Sequence, residues 1–412
     1  MKKLFAIIAA LAVFSIVSCQ KNETDDISTN DKTEQSSNCI YYTTADGKKL
    51  TPYQTGSACF GAQLVSNTYT DGQGVLVFDD TITSIGDEAF RSCYNLASIS
   101  IPNSVLSIGD KTFAFCTSLT KITIPQGVTS MGDEVFWGCT SLASIDIPNG
   151  VTSNGNATFN HCSKLRSITI PNSVSSNGEQ TFYSCPKLKT ISIPDSVTSI
   201  GEKAFYACSS LESITIPNSV TTIGEGAFSV CSNLAEFNGK FASDDGRCLI
   251  VDGTLLSFAP AELTEYTIPN NATSIGVYAF YGCSDLTNIK LPDSVTSIGD
   301  IAFEACSSLE DINIPDGVRT IGQSAFRICS TLESITIPKS VISIGKKAFQ
   351  GCTNLIKIYC LPATPPAGGE DMFVAGSTLI KIYVDDDSLS AYQSATYWKN
   401  YASYYMGHDF YY

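Results

Sequence analysis

The sequence predicts a β-rich α/β solenoid. It reads as a ladder of parallel strands with short helical or 3-10 turns on the convex side, about 12 rungs, capped at both ends. Three observations carry this. Cys93, Cys116, Cys139, Cys162, Cys185, Cys208 and Cys231 are each 23 residues apart, and the beat resumes at Cys283, Cys306, Cys329 and Cys352. An I-x-I alternation follows the cysteine and is closed by proline, as in Ile214, Ile216 and Pro217. A glycine then follows the last apolar position, as at Gly86, Gly109 and Gly132.

Each part of the unit has a physical reading. Alternation with period two is a short strand with one buried face. Proline cannot donate to a ladder, so it ends that strand at the same place each time. Glycine permits a backbone path that a side chain would resist. Asp87, Glu88, Asp133, Glu134 and Glu202 precede the alanine–phenylalanine pair, where carboxylates suit the start of a short helical turn. One unit alone cannot bury its apolar face, but a stack of units shares one core.

The beat also decides what the cysteines mean. A disulfide needs close, inclined Cβ vectors, whereas equivalent residues on neighbouring rungs point the same way. The ladder cysteines therefore read as small buried groups with a weak donor. No C-x-x-C spacing occurs and His161 and His408 are the two histidines, so no metal site is expected. Cys39 and Cys59 lie off the beat and could pair in an oxidising compartment. Cys248 and Cys360 are also off it.

The chain has 412 residues and a formal net charge of −15, which excludes a nucleic-acid stripe. Lys2 and Lys3 precede an apolar run from Leu4 to Val17. Ile16-Val17-Ser18-Cys19 then resembles the lipobox of bacterial lipoproteins, with Cys19 as the lipidated residue. Loss of Lys2 and Lys3 by cleavage would take the formal charge from −15 to −17. Residues 20–38 carry almost no apolar side chains and read as a disordered tether. Glu23, Asp25 and Asp26 resemble the surface-export signals of Bacteroidetes lipoproteins.

The repeated unit resembles the leucine-rich repeat of BspA-like surface proteins, from about Thr81 to Ile358. The segment Tyr41–Phe78 resembles that family's N-terminal cap. The run S-D-D-G-R-C-L-I-V-D-G-T-L-L-S-F-A-P, within Phe237–Ile268, resembles a hairpin-bearing unit and accounts for the gap between Cys231 and Cys283. The tail from Ile382, with Y-V-D-D-D-S-L-S-A-Y-Q-S-A-T-Y-W-K-N-Y, resembles the terminal strand and cap. The implied organisation is a signal peptide (1–18), a tether (19–38), an N-terminal cap (39–80), an α/β leucine-rich-repeat solenoid (81–359, long unit 237–268) and a C-terminal cap (360–412). The resemblance implies a non-enzymatic, surface-anchored protein whose relatives are implicated in adhesion. No family binding motif can be matched, so no binding residue carries over.

Candidate sites come from departures and exposed rows. Asn154 and Asn177 replace the apolar residue held elsewhere by Ile108, Met131, Ile200 and Ile223. They read as a buried amide ladder or as a polar opening in the wall. Trp137, Tyr183 and Tyr206 follow the repeat phenylalanine and form an aromatic row, either simple cover or a platform for sugars or proteins. Thr123, Asp146, Thr169, Ser192 and Thr215 take the middle place of I-x-I. They read as a solvated sheet face or as the contact surface for a large ligand. Asp195-Ser196-Val197 and Asp293-Ser294-Val295 resemble Bacteroides O-glycosylation sites, and both also fit the ordinary turn of the unit.

No nucleophile elbow, phosphate loop or metal spacing is present, so neither an enzyme nor a cofactor is expected. The expected protein is an outer-membrane, cell-surface lipoprotein anchored through Cys19, adhering to a host or bacterial surface protein. The alternatives are glycan capture for nutrition and a structural envelope role without a dedicated ligand.

Overall fold

The computed structural model describes residues 36–373 and 380–410. The lipobox with Cys19, the acidic residues after it and most of the tether lie outside the described residues. The chain is a parallel-strand β-solenoid of about 14 turns. It divides into two compact units, the first running to Phe205 with Ser219–Thr222, the second taking Tyr206–Asn218 and Ile223 onward.

The first unit begins antiparallel and becomes parallel. Strand Cys39–Thr44 pairs antiparallel with Gln73–Phe78 on one side and with the first repeat strand, Leu96–Ser100, on the other. From there the strands run parallel in strict register, Ile99 opposite Ile122 and Ile145 opposite Ile168. A second parallel row runs through Ser84–Ile85, Ser107–Ile108 and Ser130–Met131. Each repeat thus carries two short strands, where the sequence suggested one. The glycine after the second strand lets the next rung seat closely, since a Cβ at Gly155 would lie 2.2 Å from the Gly132 carbonyl oxygen.

The segments between the strands are turns, with no helix between residues 81 and 359. Glu88 and Ser92 have φ of 58° and 57°, and Lys111 and Phe115 have 55° and 60°. A left-handed residue this often bars an α-helix, at a cost of roughly 1–2 kcal/mol each. The return is a ladder between rungs: the N–H groups of Glu88, Phe90 and Ser92 donate to the carbonyls of Asp110, Thr112 and Ala114. The next rung repeats this from Lys111, Phe113 and Phe115 to Asp133, Val135 and Trp137. Every second amide is satisfied across the stack instead of along it.

The core is a column of rings beside a column of thiols. Phe90, Phe113, Phe136, Phe159 and Phe182 stack at 5.5–5.6 Å between neighbouring centroids, almost coplanar. Phe60 meets Phe90 at 6.0 Å and closes the N-terminal end.

In the second unit the hairpin strands Cys248–Val251 and Thr254–Phe258 interrupt the repeat. The second hairpin strand pairs parallel with Ser274–Ile275, so it stands in the place of the ordinary second strand of a rung. Phe280, Phe303, Phe326, Phe349 and Phe373 carry the ring column onward. The C-terminal segment closes it. Trp398 is fully buried and its indole N–H donates to the Pro366 carbonyl at 2.7 Å, while the Tyr392 hydroxyl donates to Pro362 at 2.8 Å.

Candidate functional site

The ladder cysteines are architectural. The Cys116 thiol donates to the Phe90 carbonyl at 3.1 Å, and Cys139, Cys162 and Cys185 do the same to Phe113, Phe136 and Phe159. Cys306, Cys329 and Cys352 repeat the bond in the second unit. Burial pushes the Cys162 and Cys306 thiols up to about 12, so they stay protonated and donating. The off-beat Cys248 has a different partner. Its thiol donates to the Tyr266 hydroxyl at 3.3 Å, which in turn donates to Asp245 at 3.0 Å, bracing the hairpin. Cys59 keeps a free thiol and is not the partner of Cys39.

Asn154 and Asn177 are both buried, so the wall is closed where they sit. The Asn154 amide N–H donates to the Asn177 side-chain oxygen at 3.1 Å. The outer ends of this pair, Asn154 Oδ1 and Asn177 Nδ2, have no partner. The neighbouring position beyond Asn177 is the apolar Ile200. Thr158 and Thr181, also buried, donate to the Gly155 and Gly178 carbonyls of the adjoining turns.

The aromatic row resolves into pairs. Trp137 is half-buried with its ring 4.7 Å from Phe115, and Tyr183 stacks on His161 at 5.6 Å. Each pair joins the second residue after one repeat phenylalanine to the first residue after the next. Between the two pairs the same slot holds the buried Asn160, whose side-chain oxygen bonds His161 Nδ1 and whose amide donates to Gln180 at 3.3 Å. Tyr206 belongs to the second unit, 6.0 Å from Tyr281.

The five strand-face positions singled out in the sequence are exposed. Thr123, Asp146, Thr169, Ser192 and Thr215 all point to solvent. Asp146 stands opposite Thr169, and Thr169 opposite Ser192, in parallel register. In the second unit Thr215 stands opposite Asn238. The same row later runs Thr336, Tyr359, Tyr383 and Met406. The sequence analysis followed this row from Thr123 to Thr215, although Tyr359 falls 23 residues beyond Thr336 and keeps the beat.

Ser196 and Ser294 donate to the carbonyls of Val174 and Ala272 at 2.7 and 2.6 Å. Ser219 makes the same bond to Val197, so these hydroxyls are engaged in the turn of the repeat. Among the described residues no group of three metal-ligating side chains comes together, and no helix is long and apolar enough to cross a membrane.

A repeat solenoid of this kind points to protein–protein interaction at a surface. The chain belongs to the BspA-type leucine-rich-repeat family, whose model matches residues 73–176, 131–242 and 256–374. Proteins of this family are typically found at the cell surface, and such solenoids are generally non-catalytic. It is similar to a leucine-rich cell surface protein from Faecalibacterium prausnitzii, at 28% identity and a TM-score of 0.58 over 86% of this chain and 96% of that one. It is also similar to a leucine-rich repeat protein from Bacteroides ovatus, at 25% identity and a TM-score of 0.51 over 88% and 99%. The pneumococcal vaccine antigen PcpA shares the fold, at 20% identity and a TM-score of 0.54 over 83% and 85%. No curated protein matches the chain.

Proposed function

We propose that this protein is a non-enzymatic outer-membrane lipoprotein, anchored through Cys19, that mediates adhesion by binding a host or bacterial surface protein on its strand face. The exposed row Thr123, Asp146, Thr169 and Ser192 carries this reading. Its side chains are short, polar and held in register by parallel pairing, so binding needs little ordering of the protein. The formal charge of −15 favours neutral or basic partner surfaces over acidic ones.

Three measurements test it. Labelled palmitate should enter the wild-type chain and not Cys19→Ala, and protease added to intact cells should degrade the wild-type protein. Label retained by Cys19→Ala would overturn the anchor, and full protection from protease would overturn surface display. Binding to an array of matrix proteins and whole bacteria should weaken when Thr123 and Thr169 become arginine.

A further inference from the structure

The C-terminal end of the strand face differs in kind from the rest. Tyr359 and Tyr383 replace the usual threonine and stack at 5.0 Å with an interplanar angle of 19°. Their Cα atoms are register partners on neighbouring strands, so the half-buried rings cover each other's inner faces and leave their rims and the outer face of Tyr359, on the Thr336 side, for a ligand. His408 closes one side, 5.6 Å from Tyr383 and 6.3 Å from Tyr359, and Phe410 backs it at 4.7 Å. Met406, 44% exposed, extends the apolar surface beside Tyr383.

Two lysines flank the platform. Lys357 and Lys381 are direct register partners and both are exposed. Neither ammonium has a carboxylate partner among the described residues, although this chain carries 40 acidic side chains. On earlier rungs Glu265, Asn288 and Asp311 stand in register at this position of the strand, whereas the aromatic end carries the two lysines there. Two like charges placed side by side repel each other, and a bound anion relieves this.

We infer that this patch binds an acidic oligosaccharide, a chain of sugar rings carrying carboxylate or sulfate groups. The outer face of the tyrosine stack can accept the flat apolar face of a sugar ring, with tyrosine hydroxyls left at the rim for hydrogen bonds. Lysine meets an oxyanion as a point charge without demanding a fixed fork geometry, which suits a flexible glycan. Thr336, next in the row after Tyr359, adds a hydroxyl for a polyhydroxylated chain. This site takes the same repeat position as the proposed protein-binding row but on other rungs, within the second unit, and does not rest on that reading.

Titration calorimetry of the full chain tests it with four probes: a heparin-derived hexasaccharide, an oligogalacturonate hexamer, neutral maltohexaose and a polyglutamate peptide. One or both acidic probes should bind, and the pair distinguishes sulfate from carboxylate recognition. Tyr383→Ala and the double change Lys357→Gln with Lys381→Gln should each weaken binding by roughly tenfold. The lysine change should also flatten the salt dependence. Tyr383→Leu, which keeps bulk without a phenol face, should weaken binding too and serves if the alanine variant does not fold. Several results would overturn the inference. They are no binding of either acidic probe, equal binding of maltohexaose, tyrosine variants that bind the acidic probes normally, or a polyglutamate peptide that binds as tightly as the sugars.

Discussion

The side-chain amide of Asn154 donates to the Asn177 oxygen across one rung of the buried core, 3.1 Å away. The bond satisfies half of each amide and leaves Asn154 Oδ1 and Asn177 Nδ2 orphaned. An unpaired buried polar group costs about 1–3 kcal/mol. The pair therefore weakens the stack while it penalises any slip of register between these two rungs.

This gives an ordering of stabilities. Asn154→Ala leaves Asn177 wholly unpaired and opens a cavity, and should cost about 2 kcal/mol. Changing both asparagines to isoleucine removes the orphaned atoms and restores the residue type of Ile108 and Ile200. It should stabilise the protein by about 2 kcal/mol. Chemical denaturation reads both, and a double variant less stable than the single one would refute the account.

The thiols should be silent in the native state. Among the described residues Cys59 is the half-exposed thiol, while Cys116, Cys139, Cys162 and Cys185 are buried and bonded to carbonyls. Iodoacetamide followed by peptide mass spectrometry should find Cys59 modified first and the ladder modified only on unfolding. Fast native labelling of several ladder positions would contradict their structural role.

Alkaline pH should unfold the stack. Burial raises Cys93 to about 11 and Cys162 and Cys306 to about 12, from 9.0 in each case. Folding thus favours the protonated thiol. Its contribution is complete below pH 9 and is lost as pH rises through 9 toward 12, because the unfolded chain ionises first. Melting temperatures measured from pH 7 to 12 should fall mainly above pH 9. Replacing Cys162 and Cys306 with alanine should flatten that fall, and an unchanged profile would remove the thiols as its cause.

Much of this architecture was legible in the spacing. The cysteine beat located the rungs, the long unit and the asparagine pair, because a residue that recurs at one depth in a stack recurs at one interval in the chain. The convex turns were not legible. Their left-handed positions hold Glu88, Lys111, Glu134 and His161, none of which marks positive φ as glycine does. The partner of each of the ladder thiols Cys116, Cys139, Cys162 and Cys185 was hidden for a related reason. It is a backbone carbonyl on the preceding rung, and backbone groups leave no trace in residue types. The aromatic row looked continuous in sequence but resolves into pairs, since each contact joins different places in successive repeats. Tyr359 could have been found by following the middle position of I-x-I past Thr215 on the same beat.

The central claim is that the strand face recognises the partner while the convex wall is architecture. Binding to an array of matrix proteins and whole bacteria tests this most directly, with Thr123→Arg/Thr169→Arg compared with Trp137→Ala. The account predicts that the strand-face variant loses about tenfold or more in affinity while the convex variant binds as the wild type does. Loss on Trp137→Ala, with the strand-face variant unaffected and both proteins folded, would contradict it.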